Sequence, residues 1–286
     1  MGWEQELERL AAELRAKEVG PYVSLLAVAE ELGLQAVLRF SEDRNLHAYV
    51  DIDKSGGTVV LFRSGPSGSI KRLRRSDECL LAPRERFSLA HEIGHYLAAT
   101  RLGVDPAPVA SSEYWCHERA IDAFAGSLLV PDALARSWIT AVPTEDPIHP
   151  LALRDFSRSA KVSDEVVARA LCRVRVDIGF LKLRRVLRRA DKAPVLRVAF
   201  GSASGRMRVP NIHSHVKEPD LLKAIASCDV GQRTLLGNSV VPTPPGHTLR
   251  MAWRSVENSE RAGTYWLAFA LSRAAQLQLE FSGERR

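Results

Sequence analysis

Two histidines four residues apart, His91 and His95, with Glu92 directly after the first, constrain this chain more than any other feature. They lie in a run where Phe87, Ala90, Ile93, Gly94 and Leu97 recur at helical spacing. That pattern predicts a helix over residues 84–97, ended by Gly103 and Pro106. Residues i and i+4 of a helix share a face one turn apart, so both imidazoles can converge on one ion. The distances such an ion needs are about 2.0–2.1 Å for Zn–N. Glu92 projects about 100° around the helix from His91, too far to share the ion easily, but within reach of a water held there. It would take the water's proton and later deliver it to a leaving amine. An H-E-x-x-H arises by chance in roughly 1–2% of chains of this length and composition.

A catalytic zinc takes three protein ligands and keeps one position open. Three and six residues beyond His95 stand Ala98 and Arg101, so no third histidine continues the same run. A second strong helix is predicted over 113–130, stopped by Pro131. It carries Glu118 and Asp122, four apart and on one face. Glu118 can complete the ligand set while Asp122 accepts the second N–H of a histidine and so fixes its tautomer. Cys116 and His117 compete as ligands, and Asp122 could exchange roles with Glu118. Helical phase favours Glu118, because His117 is turned about 100° from it. Tyr96, Tyr114, His117 and Arg119 are the nearby candidates for stabilising an oxyanion.

Around this core the patterns predict helices over 3–17 and 23–32, strands over 35–40, 47–53 and 58–63, and a long basic loop over 64–81. A short helix follows over 132–139. Residues 151–174 read as two short helices joined at Val162-Ser163-Asp164, a helix-turn-helix-like hairpin. Residues 173–189 read as a basic helix or linker. Beyond residue 193 the pattern turns β-rich, with strands over 195–200, 207–209, 248–254, 264–270 and 276–281 and a helix over 219–228. The expected organisation is α+β in three regions: 1–145 with a small mixed sheet and the motif helix, 146–190 helical with a basic linker, and a C-terminal α/β domain over 191–286.

Charge divides along the same line. Residues 1–150 carry 16 lysines and arginines against 22 acidic residues, and residues 151–286 carry 24 against 12. A basic half favours nucleic acid or an acidic protein surface, so a DNA-binding regulator acting through the hairpin is the rival function. Its mark would be binding that weakens steeply with salt. No apolar run is long enough to span a membrane and the N-terminus lacks a signal-peptide core, so a cytoplasmic protein without a membrane partner is expected. Four cysteines without paired spacing fit a reducing compartment.

Three stretches resemble the ImmA/IrrE family of bacterial metallopeptidases. Residues 84–95, R-E-R-F-S-L-A-H-E-I-G-H, are similar to the family signature R-x-R-F-[TS]-L-A-H-E-[LI]-G-H. Residues 118–131, E-R-A-I-D-A-F-A-G-S-L-L-V-P, are similar to E-x-E-A-N-x-F-A-A-x-L-L-M-P. The hairpin over 151–174 resembles the helical region that follows in many members. The resemblance puts the family's metal-binding glutamate on Glu118 and its asparagine on Asp122. It implies a zincin-like fold, zinc as cofactor (manganese being an alternative in the cell) and a protein substrate. Family members typically cleave helix-turn-helix repressors of the XRE type, releasing stress-response or mobile-element genes. It also implies a GAF-like sensor after the hairpin.

Overall fold

The structure, a computed structural model, describes residues 2–18, 20–43, 47–53, 56–66, 68–105, 111–144, 146–187, 194–206, 215–216, 234–235, 247–256 and 264–273. The chain divides into two compact units. The first contains Met1–Ile139 and Leu153–Val174, and the second contains Thr140–Ala152 and Arg175–Arg286.

In the first unit, helices α1 (Trp3–Ala16) and α2 (Leu25–Glu31) precede a four-stranded mixed sheet. Its strands are β1 (Leu34–Ser41), β2 (Ala48–Asp53), β3 (Gly56–Ser64) and β4 (Ile70–Leu73), in the order β2-β3-β1-β4. β1 runs parallel to β3, and the β2–β3 and β1–β4 pairs are antiparallel. Leu34, Ala36 and Leu38 alternate inward along β1, as a strand with one buried face requires. Helix α3 (Pro83–Leu102) packs on β2 and β3 and against α4 (Ser112–Leu129). Leu89, Ile93 and Leu97 of α3 meet the core formed by Ile121, Phe124 and Leu128 of α4.

The region expected to be a long loop over 64–81 instead forms β4 and a 3₁₀ turn at Arg75–Leu80. The strand escapes its sequence pattern because Ile70, Lys71 and Arg72 are exposed and only Leu73 is buried. The turn has a structural use. Its Glu78 accepts N–H bonds from Leu25 and Leu26 at the start of α2 and pairs with the fully buried Arg86 of α3, which also donates to Val23 O at 2.7 Å. The Glu78 carboxylate thus accepts from both the free first-turn donors of α2 and a buried guanidinium.

Helices α5 (Asp132–Ile139), α6 (Pro150–Ala160) and α7 (Asp164–Val174) follow, so the two expected helices of the hairpin are present. Lys161 takes the left-handed conformation at their turn (φ 52°). The basic helix or linker expected over 173–189 is instead, where described, mainly a strand: α7 ends at Val174 and strand β5 (Ile178–Leu187) begins soon after. β5 opens the sheet of the second unit with β6 (Pro194–Ala203), β7 (His215–Val216), β8 (Thr234–Leu235), β9 (His247–Val256) and β10 (Thr264–Arg273). The order is β7-β6-β5-β10-β9-β8, antiparallel throughout. Its core includes Phe180, Leu183, Val198 and the Trp266–Ala270 run. The expected strands over 207–209 and 276–281 and the helix over 219–228 lie outside the described residues.

Candidate metal centre

Local sequence sets the two helices that build the site. Pro83 occupies the first turn of α3, and Glu85 reaches back to accept the Ala82 N–H at 2.8 Å. The same carboxylate takes a two-pronged bond from Arg63 of β3, each contact 2.6 Å, tying the start of the helix to the sheet. Gly103, at φ 63°, ends the helix in the left-handed conformation that glycine adopts most readily. Ser111 caps α4 by accepting the Tyr114 N–H at 2.9 Å. The helices pack tightly at Gly94, where a Cβ would lie 2.9 Å from Phe124 Cδ1 and 3.0 Å from Ile121 Cγ2. The absent side chain between Glu92 and His95 lets Glu118 and Asp122 approach the histidines.

His91, His95 and Glu118 form a cluster able to hold a metal ion. His91 Nε2 lies 3.1 Å from His95 Nε2 and 3.3 Å from Glu118 Oε2, and His95 Nε2 lies 3.4 Å from Glu118 Oε1. Ligand atoms at tetrahedral corners 2.0–2.1 Å from zinc stand about 3.3–3.4 Å apart, so all three edges fit such an ion. On its other side His91 Nδ1 meets Asp122 Oδ1 at 3.0 Å. A neutral His91 donating that proton turns the lone pair of Nε2 toward the centre of the triangle. Asp122 Oδ2 stands 3.7 Å from Arg169 Nη1 on α7.

Burial holds the His95 pKa down to about 4, aided by the neighbouring His91, which leaves its lone pair open for a metal at neutral pH. Burial also presses His91 down. The hydrogen bond to Asp122 and the charges of Glu92, Asp122 and Glu118 outweigh it and leave His91 raised. Glu92 is 8% exposed and lies outside the triangle. Burial raises its carboxyl pKa, with Glu118 adding to the effect against the lowering influence of His91 and a backbone hydrogen bond from Val50.

Of the competing ligands, Cys116 is exposed. His117 turns toward Glu113, at 4.0 Å, and packs edge-on against Trp3. Among the four oxyanion candidates, Tyr114 and His117 line a cavity together with Glu92, His95 and Glu118. Tyr96 instead donates to Leu32 O at 3.3 Å, and Arg119 lines a separate cavity with Asp122 and Arg169. Trp3 of α1 and Tyr49, Val50 and Ile52 of β2 also border the first cavity. Sequence reasoning missed these four residues, because no spacing rule joins them to the motif.

Residues 50–171 match the model of the IrrE N-terminal-like domain, a peptidase family. No curated protein matches the chain. Among solved structures, a Mycobacterium tuberculosis transcriptional regulator is similar at 11% identity and a TM-score of 0.45, over 93% of this chain and 75% of that one. The matched domain contains His91, Glu92, His95, Glu118 and Asp122 together. The match supports an ImmA/IrrE-family metallopeptidase domain over residues 50–171 of this chain.

Proposed function

We propose that this chain is a zinc-dependent endopeptidase whose ion is held by His91, His95 and Glu118. The observation that carries the reading is the triangle of donor atoms with edges of 3.1, 3.3 and 3.4 Å. When bound, zinc supplies Lewis acidity, which makes water a nucleophile near neutral pH and polarises a carbonyl. Asp122 orients His91 through Nδ1. Glu92 accepts the proton of the attacking water and returns it to the leaving amine; its raised pKa brings it closer to the operating pH, as a general base requires. Burial and the charge of Glu118 raise the Tyr114 hydroxyl, so it stays protonated and can donate to the developing oxyanion. β2 is an edge strand beside α3, so an extended substrate can add along it by backbone pairing.

The substrate in this reading is a helix-turn-helix repressor of the XRE type, supported by the family resemblance. The second unit is read as a sensor of the GAF type by its place after the peptidase domain. Free thiols at Cys79, Cys116 and Cys172 favour a cytoplasmic setting. Among the described residues no helix is long and apolar enough to cross a membrane. The rival reading, a DNA-binding regulator, draws on the α6–α7 pair and the basic second half. Against it, α7 buries Val166, Val167, Ala168, Ala170 and Leu171 and packs on α5 and α4.

The test is metal content and peptidase activity of wild type, Glu118→Ala, His117→Ala and Glu92→Gln. Wild type, His117→Ala and Glu92→Gln should each retain zinc while Glu118→Ala loses it, and Glu92→Gln should lose activity by about 10²–10⁴-fold. Zinc retained in Glu118→Ala but lost in His117→Ala would overturn the ligand set. A metal-free wild type with salt-sensitive DNA binding would favour the regulator.

A further inference from the structure

The cavity that borders Glu92, His95 and Glu118 encloses about 270 Å³, and much of its lining is apolar. Ala98 and Ala99 follow His95 by three and four residues, so they continue its face of α3 one turn on. Their methyl groups leave space that longer side chains would fill. Ile121 of α4, Ile52 of β2, Val104 and Trp3 of α1 complete the apolar wall. The Trp3 ring is set by an edge-on contact with His117, centroids 4.9 Å apart. Trp3 precedes the matched domain of residues 50–171, so part of this wall comes from the N-terminal helix of this particular chain.

We propose that this recess is a subsite for one bulky apolar side chain, of leucine or phenylalanine size, on a residue flanking the cleaved bond. The proposal rests on the peptidase reading. Consecutive Cα atoms of a peptide stand about 3.80 Å apart, so the side chains flanking a carbonyl at the metal centre fall beside the centre, where the recess opens. The lining is mainly aliphatic and aromatic, and an apolar occupant removes both surfaces from water. Among the described lining residues Asp105 is the one carboxylate besides Glu92 and Glu118, and a lysine would be the occupant if that charge governed selection. The substrate class is therefore a protein segment, extended along β2, with a large apolar residue at the scissile bond.

Four metal-chelating probes test this: the hydroxamates of N-acetyl glycine, leucine, phenylalanine and lysine, titrated calorimetrically into the zinc-loaded full-length protein. Leucine and phenylalanine hydroxamates should bind about 10- to 100-fold more tightly than the glycine compound, the expected gain from burying such a side chain. In Ala99→Phe, which fills the recess, that ratio should fall toward one. Trp3→Ala, which removes a wall without crowding the helix, should reduce it as well. Equal affinities for all four probes, the lysine compound binding best, or a preference unchanged in both variants would each overturn the subsite while leaving the metal centre standing. Failure of the zinc-loaded protein to bind any hydroxamate would overturn the peptidase reading along with it.

Discussion

Asp122 touches His91 through one oxygen and faces Arg169 through the other, so it is positioned to set both the orientation and the basicity of that ligand. Asp122→Asn should weaken zinc binding at pH 8 by about 10- to 100-fold, the usual cost of disturbing a residue behind a metal-bound imidazole. The pH dependence should change in the opposite sense. A protonated histidine cannot ligate, so affinity falls as pH drops through the pKa of His91, which the site raises above its ordinary value, partly through Asp122. His95, held near 4, competes with protons only far lower. Without the Asp122 charge the loss should begin at a lower pH than in wild type. Competition with a chromophoric chelator across pH 5–8 measures both effects, and superimposable curves would remove Asp122 from the site. The meeting of His91 and His95 with Glu118 and Asp122 was legible in the sequence because i,i+4 spacing on two helices is a geometric statement. Trp3 and Tyr49 were not, since their place at the cavity depends on how α1 and β2 fold back on α3.

Among the elements, the approach of α3 to α4 depends on a residue that ligates nothing. Gly94→Ala would place a methyl 2.9 Å from Phe124 and 3.0 Å from Ile121, closer than carbon atoms pack. The helices must then separate or the Phe124 ring and the Ile121 side chain must turn. We expect a loss of stability of about 1–3 kcal/mol, as for overpacked cores, together with weaker zinc binding because Glu118 retreats from the histidines. Denaturant unfolding of the zinc-free protein and zinc competition read these separately, and unaltered affinity would show that the helices do not need their present spacing. Two strands were hidden in the sequence for a shared reason, their cationic side chains. β4 is exposed at Ile70, Lys71 and Arg72. β5 carries Lys182, Arg184 and Arg185 among Phe180, Leu181 and Leu183, so its charges mask a core strand held between β6 and β10. The helices were easier to read, because their period spans enough residues to survive a few charges.

The two compact units have separate sheets, and the candidate metal centre lies wholly in the first. Chains built this way depart from a single all-or-none transition, so calorimetry of the full-length protein should resolve two. Zinc held at the proposed centre would stabilise the folded first unit by about 2.7 kcal/mol at a free concentration 100-fold above Kd. For a unit of this size that corresponds to a shift of roughly 5–10 °C. The second transition should stay where it is, because its core of Phe180, Val198, Trp266 and Phe269 gains no ligand. A chelator should reverse the first shift, and Glu118→Ala should remove it. A single transition that moved as a whole with zinc would mean that both units unfold as one cooperative block, with binding energy at His91, His95 and Glu118 stabilising the six-stranded sheet as well.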